Sequence, residues 1–161
     1  SQVAKDSTVG LIGQHQVWDY VSEQLSLTHE ELDEFQHKFW LGDQIDKELI
    51  NFLIDLHQDF KTALLSNAWV GARDTFAKQF QLIEGETADR FLISSELGVA
   101  KPNERIYQIL AETLNVQFNR ILFVDDFIEN INAANQLGIQ TIHYQPGIDL
   151  ISQIKKRLSL D

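Results

Sequence analysis

The sequence contains no cysteine, which excludes disulfide bonds and thiolate metal sites and fits a reducing compartment, so we expect a cytoplasmic protein. No apolar run approaches the roughly 18 residues that a membrane-spanning helix needs, so we expect neither a membrane partner nor a signal peptide. Methionine, the start residue, is also absent, so we expect a chain that has been processed or cut. The 161 residues, 43% of them apolar, suffice for one domain with a buried core.

Positive charge is scarce as well. The 13 lysines and arginines are scattered along a chain whose net charge is −11, so a nucleic-acid backbone would be repelled and is excluded as a partner. A small phosphorylated molecule would be repelled too, unless a cation and a lysine lie at its binding site. The five histidines form no pair at helical ligand spacing, and we interpret each as a surface or helix residue.

The first third of the chain has the pattern of helices. Residues 1–12 are mixed in character, and we interpret them as a tail or linker. Between about 13 and 25, apolar residues recur at three- and four-residue steps, as on one face of a helix. A capping box that begins at Thr28 predicts a second helix, and Asp46 is the expected N-cap of a third helix that ends near 57. Residues 13–57 are therefore predicted to form a helical unit.

Residues 58–161 change to the pattern of an α/β domain. Short apolar runs at 61–66, 91–94, 120–125 and 139–144 are typical of strands that are buried on both faces. Helical patterns lie between and after them, at about 70–80, 102–114, 127–137 and 148–158, with Pro102 in the first turn of its helix. This alternation predicts a mostly parallel sheet, in which ligands bind at the carboxyl ends of the strands.

Two of those strand ends carry groups that suit an anion. Ser66 and Asn67 follow the first strand, where a hydroxyl and backbone N–H groups could hold a phosphate oxygen. Lys101 precedes the helix that follows the second strand, although a cation near a helix N-terminus is electrostatically disfavoured. Turn formation by Ser66 and Asn67 and a solvated position for Lys101 are the alternative interpretations.

The third strand ends in two adjacent carboxylates, Asp125 and Asp126, with Glu129 and Asn130 one helical turn further on. Adjacent carboxylates at a sheet edge are costly unless something positive neutralises them. Oxygen ligands without cysteine favour a hard cation such as Mg²⁺. Capping of the following helix by Asp126 is the alternative, but it explains only one of the two aspartates.

In this order and context, the serine, the lysine and the acidic pair resemble the motifs of the haloacid dehalogenase superfamily. The resemblance extends through LLSNAW at 64–69, the segment 94–110 and ILFVDDFIENINAANQLGIQTIHY at 121–144. It implies a Rossmann-like parallel sheet, and it identifies 13–57 as a helical cap inserted into an α/β core at 58–161. The acidic pair resembles that of the Mg²⁺-dependent phosphatases more than that of the dehalogenases, which need no metal.

The resemblance also implies roles for the phosphate-binding residues. Ser66 and the backbone of Asn67 would hold the phosphoryl oxygens, and Lys101 would neutralise the phosphate and the nucleophile. The substrate would be a small phosphorylated metabolite, hydrolysed through an aspartyl-phosphate intermediate.

The roles implied for the metal site fall on the acidic motif. Asp126 would be the direct Mg²⁺ ligand, and Asp125 would bind through water or orient the site. Asn130 would support both aspartates from the helix.

One motif of the family is missing from the sequence. No apolar strand followed by Asp-x-Asp precedes the helical region, and the only early candidates, Asp6 and Asp19, lie in the tail and on a helix. In the family that strand is central and lies between the strands that end at Ser66 and Asp125. We therefore expect an incomplete sheet, a truncated and inactive chain, and self-association through the unpaired sheet edges.

Other interpretations remain open at this stage. A dehalogenase-type hydrolase is one of them. A signalling receiver domain also combines an acidic pair with Lys-Pro and binds Mg²⁺ without being an ordinary enzyme, but it carries these motifs in the opposite order. A fragment that only binds a partner is a third. The tryptophans are interpreted either as lining of a substrate pocket or as packing residues: Trp18, Trp40 and Trp69.

Overall fold

The computed structural model describes residues 1–41 and 45–160 of the chain, and the side chains of Trp40 and Leu41 lie outside that description. The amino-terminal part is helical. Its four helices are α1 (Gln2–Thr8), α2 (Gln14–Leu25), α3 (His29–Leu41) and α4 (Lys47–Leu56). Within the described residues, no helix is both long and apolar enough to cross a bilayer.

The interpretation of residues 1–12 as a tail was wrong, because helix α1 forms there and packs on the rest of the chain. The Ser1 hydroxyl accepts a hydrogen bond from the Ala4 N–H and caps the helix. At its other end, the Thr8 carbonyl accepts a 2.6 Å bond from the buried Ser94 hydroxyl. Gly10 then passes so close to the Ser95 carbonyl that a Cβ there would lie 2.2 Å from its oxygen. Only glycine fits this close approach.

The predicted caps of α3 and α4 are confirmed. The Thr28 N–H donates to Glu31 at 2.8 Å, and the Glu31 N–H donates back to the Thr28 hydroxyl, which is the reciprocal pattern of a capping box. The Asp46 carboxylate accepts from the Leu49 N–H at 3.0 Å. Local sequence therefore determines where both helices begin.

The remainder of the chain alternates strands and helices, as predicted. The strands are β1 (Ala63–Ser66), β2 (Arg90–Ile93), β3 (Leu122–Asp125) and β4 (Gln140–His143). The helices are α5 (Ala72–Phe80), α6 (Ser94–Leu97), α7 (Glu104–Leu114), α8 (Ile128–Gln136) and α9 (Leu150–Leu158), and a 3₁₀ turn covers Phe118–Arg120.

Pro102 does not lie in the first turn of α7. The helix begins at Glu104, and the side chain of Asn103 caps it by accepting from the Arg105 N–H at 2.9 Å. A capping side chain satisfies one of the free N–H groups of the first turn, so the helix begins after asparagine rather than at proline.

The sheet consists of two separate parallel pairs. Strand β1 pairs with β2, in a register that places Ser66 opposite Ile93. Strand β3 pairs with β4 and places Asp125 opposite His143. Among the described residues no strand pairs with both β1 and β3, so the two pairs remain separate. Both halves have the parallel α/β arrangement that the pattern indicated.

Two of the three apolar clusters among the described residues include side chains of β1. The larger contains buried residues of α7, β3 and α8, with Tyr107 and Ile106 fully buried, and Leu65 of β1 packs against it. The other surrounds Phe91 of β2 and includes Leu53 of α4 and Leu64 of β1. Neighbouring residues of β1 thus join different clusters, because side chains alternate across a strand.

Candidate active site

Lys101 connects the two halves of the sheet at their carboxyl ends. Its Nζ donates to the Leu65 carbonyl of β1 at 2.8 Å and to Asp125 Oδ2 of β3 at 2.7 Å. The ion pair is almost out of solvent, with side-chain exposures of 10% for Lys101 and 5% for Asp125. Its Nζ also lies 5.5 Å from the centre of the Phe123 ring. Lys101 is therefore a buried cation rather than the solvated loop lysine of the alternative interpretation.

Asn67 fixes the loop that carries Lys101. Its side-chain Nδ2 donates to the Lys101 carbonyl at 2.8 Å, and its Oδ1 accepts from the Lys101 N–H at 2.8 Å. This reciprocal pair joins the end of β1 to the segment before α7. The neighbouring Ser66 is half-buried at the last position of β1. The structure thus brings Asn67 and Lys101 into contact and places Ser66 next to Asn67 at the end of β1.

Asp125 is the most highly coordinated side chain of the site. Its Oδ1 accepts from the Phe127 N–H at 2.8 Å and from Asn130 Nδ2 at 2.9 Å, while Oδ2 accepts from Lys101. Burial alone would raise the pKa of Asp125, but the hydrogen bonds from Lys101, Asn130 and the Phe127 N–H together lower the pKa below its ordinary value. The carboxylate is therefore held in its charged form.

Asp126 has the opposite environment. Its side chain is exposed, and its backbone carbonyl lies 3.0 Å from His143 Nε2 at the end of β4. Since a carbonyl only accepts, the His143 ring donates from Nε2 in this contact. The alternative role of Asp126 as a helix cap is not observed, because no side chain caps α8, whose N-cap residue is Phe127. The Asp126 carboxylate remains open to a ligand.

A buried tyrosine of α7, Tyr107, supports the acidic motif through Asn130. The Tyr107 hydroxyl donates to the Asn130 carbonyl at 2.9 Å, and the Asn130 side chain in turn holds Asp125. Burial raises the pKa of Tyr107, and the charge of Asp125 raises it further. Tyr107 therefore stays a neutral donor. Sequence reasoning missed this contact, for which the apolar stripe of α7 was the only signal.

The residues present fit a magnesium ion only in part. Among the described residues, no group of three or more histidine, aspartate or glutamate side chains is placed to hold a metal. Asp126 can supply one free carboxylate, whereas Asp125 already has three hydrogen-bond donors. Magnesium commonly keeps several waters and takes one or two carboxylates together with substrate phosphate. The motif thus supplies a part of such a site.

Neither early aspartate takes the place of the missing nucleophile. Asp6 lies in α1, where its Oδ1 accepts from Gln2 Nε2 at 2.6 Å. Asp19 lies in α2 and pairs with His15 at 2.8 Å. Both engage neighbours one turn away on exposed helix surfaces. An Asp-x-Asp strand end is thus absent from the described residues, as it is from the sequence.

The tryptophan positions favour packing over pocket lining. Trp18 of α2 packs edge-on against Phe35 and Phe39 of α3, with ring centres 6.4 and 5.6 Å apart. Trp69 is half-buried and packs against Ala68, Ala72 and Ile93. Trp40 was assigned the same alternative roles, and its side chain lies outside the described residues.

Comparison with known proteins places the chain in a family. Residues 4–138 match the haloacid dehalogenase-like hydrolase family. Bifunctional epoxide hydrolase 2 of Mus musculus is 29% identical over 100 residues, which cover 60% of this chain and 18% of that protein. D-ribitol-5-phosphate phosphatase of Bacteroides thetaiotaomicron is 26% identical over 118 residues, which cover 68% of this chain and 56% of that enzyme. The chain thus spans little more than half, or less, of these relatives.

Solved structures show the same fold. A haloacid dehalogenase-like hydrolase of Porphyromonas gingivalis is 24% identical, with a TM-score of 0.79 over 97% of this chain and 78% of that one. A mutant haloacid dehalogenase family enzyme of Bacteroides thetaiotaomicron, in complex with magnesium and inorganic phosphate, is 20% identical, with a TM-score of 0.76 over 91% of this chain and 77% of that one. By its sequence match, its fold and its motifs, the chain belongs to the haloacid dehalogenase-like hydrolase family.

Proposed function

We propose that this chain provides the phosphate- and metal-binding part of a Mg²⁺-dependent phosphatase that acts on a small phosphorylated metabolite. The observation that carries the proposal is the contrast within the acidic pair. Asp125 is buried and fully hydrogen-bonded, whereas Asp126 is exposed beside it with a free carboxylate. One carboxylate that is fixed and one that is open is the arrangement expected of a metal-dependent site.

Three groups would receive the substrate phosphate. The Ser66 hydroxyl and the Asn67 backbone N–H lie at the end of β1, and the Lys101 ammonium lies between β1 and β3. Lys101 uses two of its three N–H donors on Leu65 and Asp125, which leaves the third for a phosphoryl or carboxylate oxygen. This positive charge is what a chain of net charge −11 needs in order to bind an anion.

Asp126 would hold the metal ion, and Asp125 with Asn130 would keep its backbone in place. The Mg²⁺, when bound, would neutralise charge on the phosphoryl group. The contact between His143 and the Asp126 carbonyl restrains the same peptide from the side of β4. The metabolite phosphatase among the relatives, D-ribitol-5-phosphate phosphatase, supports a phosphorylated substrate.

The described residues alone would not turn over substrate, because they contain no Asp-x-Asp strand end, and the aspartate beside Lys101, Asp125, already accepts from three donors. The family reaction needs a carboxylate that attacks phosphorus and a second one that exchanges protons with the leaving group and water. We propose that both come from a strand between β1 and β3, where none of the described strands lies. The chain as given is then an inactive part of the enzyme.

A strand fusion tests this proposal. An apolar strand that ends in Asp-x-Asp would be joined through a short linker to Ser1, and hydrolysis of an aryl phosphate and a panel of sugar phosphates would be measured with and without Mg²⁺. We expect the fusion to show Mg²⁺-dependent hydrolysis and the unmodified chain to show none.

Two matched variants of the fusion sharpen the test. Asp126→Asn should abolish the Mg²⁺-dependent rate, while Glu129→Gln, which removes the same charge from an exposed position one turn away, should retain it. Retained activity in Asp126→Asn would refute the metal assignment. Release of halide from 2-haloacids without Mg²⁺ would instead indicate a dehalogenase.

A further inference from the structure

A fully buried hydroxyl, that of Ser94 directly after β2, joins two segments that lie far from it in the sequence. Its Oγ accepts from the Ala68 N–H at 3.0 Å and donates to the Thr8 carbonyl at 2.6 Å. Ala68 follows Ser66 and Asn67, the candidate phosphate-binding residues at the end of β1, and Thr8 is the last residue of α1. The hydroxyl therefore connects the first helix to the loop after β1.

The hydrogen-bonding capacity of this hydroxyl matches its two partners. A serine hydroxyl has one hydrogen to donate, and the Thr8 carbonyl is nearer to Oγ than the Ala68 carbonyl, which lies 3.3 Å away. The lone pairs of Oγ are then available to the Ala68 N–H. Alanine at position 94 would deprive both partners of this hydrogen bond at a site that water does not reach, and an unpaired buried N–H or C=O group is costly.

The bond from Ala68 extends the pattern of the β1–β2 pair beyond the last residue of β1. The Arg90 N–H donates to the Thr62 carbonyl, so the backbone groups of Thr62 and of every second residue after it face β2. Ala68 falls in this series. Its N–H meets the side chain of Ser94 instead of a backbone carbonyl. The hydroxyl thus takes the place of the next bond of the ladder.

The intervening residues of β1 face the opposite side, where Lys101 lies. The Leu65 carbonyl accepts from Lys101 Nζ on that side. Asn67 is two residues further on, so its backbone N–H faces the same side as the Leu65 carbonyl. The side chain of Asn67 is fixed separately, by its two bonds to the Lys101 backbone. The bond of Ala68 to Ser94 is what continues the alternation through Asn67.

The two adjacent serines after β2 differ in their contacts. The Ser94 hydroxyl bonds both α1 and the loop after β1. The Ser95 hydroxyl is also buried, but it has no hydrogen-bond partner among the described residues. The Ser95 carbonyl is approached closely by Gly10, which holds the chain after α1 against the same segment. Ser95 therefore provides a matched control for the loss of a buried hydroxyl.

We infer that Ser94 is a positioning residue of the proposed phosphate site and that it acts by fixing the direction of the Asn67 N–H. The hydroxyl does not bind the phosphate itself, because its hydrogen bonds go to Ala68 and Thr8. Through the Thr8 carbonyl it also makes the position of the loop depend on α1. The identity of the ligand rests on the proposed function, whereas the direction of the N–H does not.

The first test is amide hydrogen exchange, followed by NMR, in the unmodified chain, in Ser94→Ala and in the control Ser95→Ala. The Phe123 N–H of β3 serves as the internal reference for global unfolding. In the unmodified chain the Ala68 N–H should be protected, although Ala68 lies outside the strands. In Ser94→Ala it should exchange about tenfold faster relative to the reference, because its buried acceptor is lost.

The control variant Ser95→Ala should match the unmodified chain in this ratio. An Ala68 N–H that is unprotected in the unmodified chain would overturn the inference, and this measurement requires no variant to fold. Equal exchange ratios in Ser94→Ala and Ser95→Ala would overturn it as well.

Titration with inorganic phosphate in the presence of Mg²⁺ is the second test. The Asn67 N–H resonance of the unmodified chain should shift saturably, and the apparent Kd should be about tenfold weaker in Ser94→Ala and unchanged in Ser95→Ala. A hydroxyl that only stabilised the fold would lower the free energy of unfolding of Ser94→Ala but leave the phosphate affinity of the folded chain unchanged.

The outcomes of the titration separate the two proposals. Equal phosphate affinity in the unmodified chain and in Ser94→Ala would overturn the role of Ser94 alone. An Asn67 resonance that phosphate does not shift in the unmodified chain would refute the proposed phosphate site itself, and with it the role of Ser94 there.

Discussion

The carboxyl ends of β1 and β3 differ sharply from the edges of the same strands a few residues earlier. At the ends, the Asn67 side chain bonds the Lys101 backbone, and the Lys101 ammonium donates to the Leu65 carbonyl of β1 and to the Asp125 carboxylate of β3. Along the edges, the backbone groups of Leu65, Leu122 and Val124 face a cavity, and no described strand pairs with them. The polar site is thus held together by hydrogen bonds and one ion pair between residues that are distant in sequence. A continuous sheet is not required to form it.

Removal of the Asp125 carboxylate should lower the free energy of unfolding most, because Asp125 joins the two halves of the sheet at their ends. Asp125→Ala leaves the Lys101 ammonium buried without its counter-ion and removes the acceptor of the Phe127 N–H and the Asn130 side chain, so we expect a loss of about 3–5 kcal/mol in the free energy of unfolding. Urea denaturation followed by circular dichroism measures it. Asp126→Ala is the control and should change stability by less than about 0.5 kcal/mol, because its side chain is exposed. Equal losses would show that Asp125 does not hold the two halves together.

Removal of the Lys101 ammonium should lower the free energy of unfolding somewhat less, and the size of this loss should depend on pH. Lys101→Met leaves Asp125 with two donors but no cation, and we expect a loss of about 3 kcal/mol at neutral pH. The pKa of Asp125 is lowered in the folded chain, so its contribution is present above the ordinary value of 3.8 and is lost as pH falls through the lower folded pKa.

The lowered pKa of Asp125 predicts how the free energies of unfolding of the Lys101→Met variant and the parent differ in acid. The difference in their unfolding free energy should shrink when denaturation is repeated below the ordinary pKa of aspartate. A difference that stays constant or grows in acid would contradict the assignment of the Lys101–Asp125 pair as the source of the stability.

Removal of the Tyr107 hydroxyl should lower the free energy of unfolding least among these changes. Tyr107→Phe removes the hydrogen bond to the Asn130 carbonyl while keeping the ring in the core, so we expect a loss of about 1 kcal/mol. Tyr144→Phe, at a position 38% exposed, is the control and should stay within about 0.5 kcal/mol of the parent. If both variants matched the parent, Tyr107 would serve only to fill space.

Much of the fold could be predicted from the sequence because its determinants are local. The periodicity of α2, the capping box at Thr28 and the four apolar runs each specify an element without help from distant residues. Helix α1 was missed because its stability depends on distant contacts, from Thr8 and Gly10 to Ser94 and Ser95.

The candidate site could be predicted as a set of residues, but not in its internal geometry. The order of the motifs predicts that Ser66, Lys101 and Asp125 lie near one another, because the carboxyl ends of parallel strands meet at one edge of a sheet. The reciprocal pairing of Asn67 with Lys101 and the contact of His143 with the Asp126 carbonyl depend on how loops meet, which spacing along the chain does not determine.

Amide hydrogen exchange, followed residue by residue by NMR, tests most directly the central claim that the edges of β1 and β3 that face away from β2 and β4 are unpaired. Along β1 and β3, the N–H groups of Leu64 and Phe123 should be protected by β2 and β4, while those of Leu65 and Val124 should exchange far faster. Uniform protection of all four amides in the chain alone would show that β1 and β3 have no free inner edges, and would contradict this account.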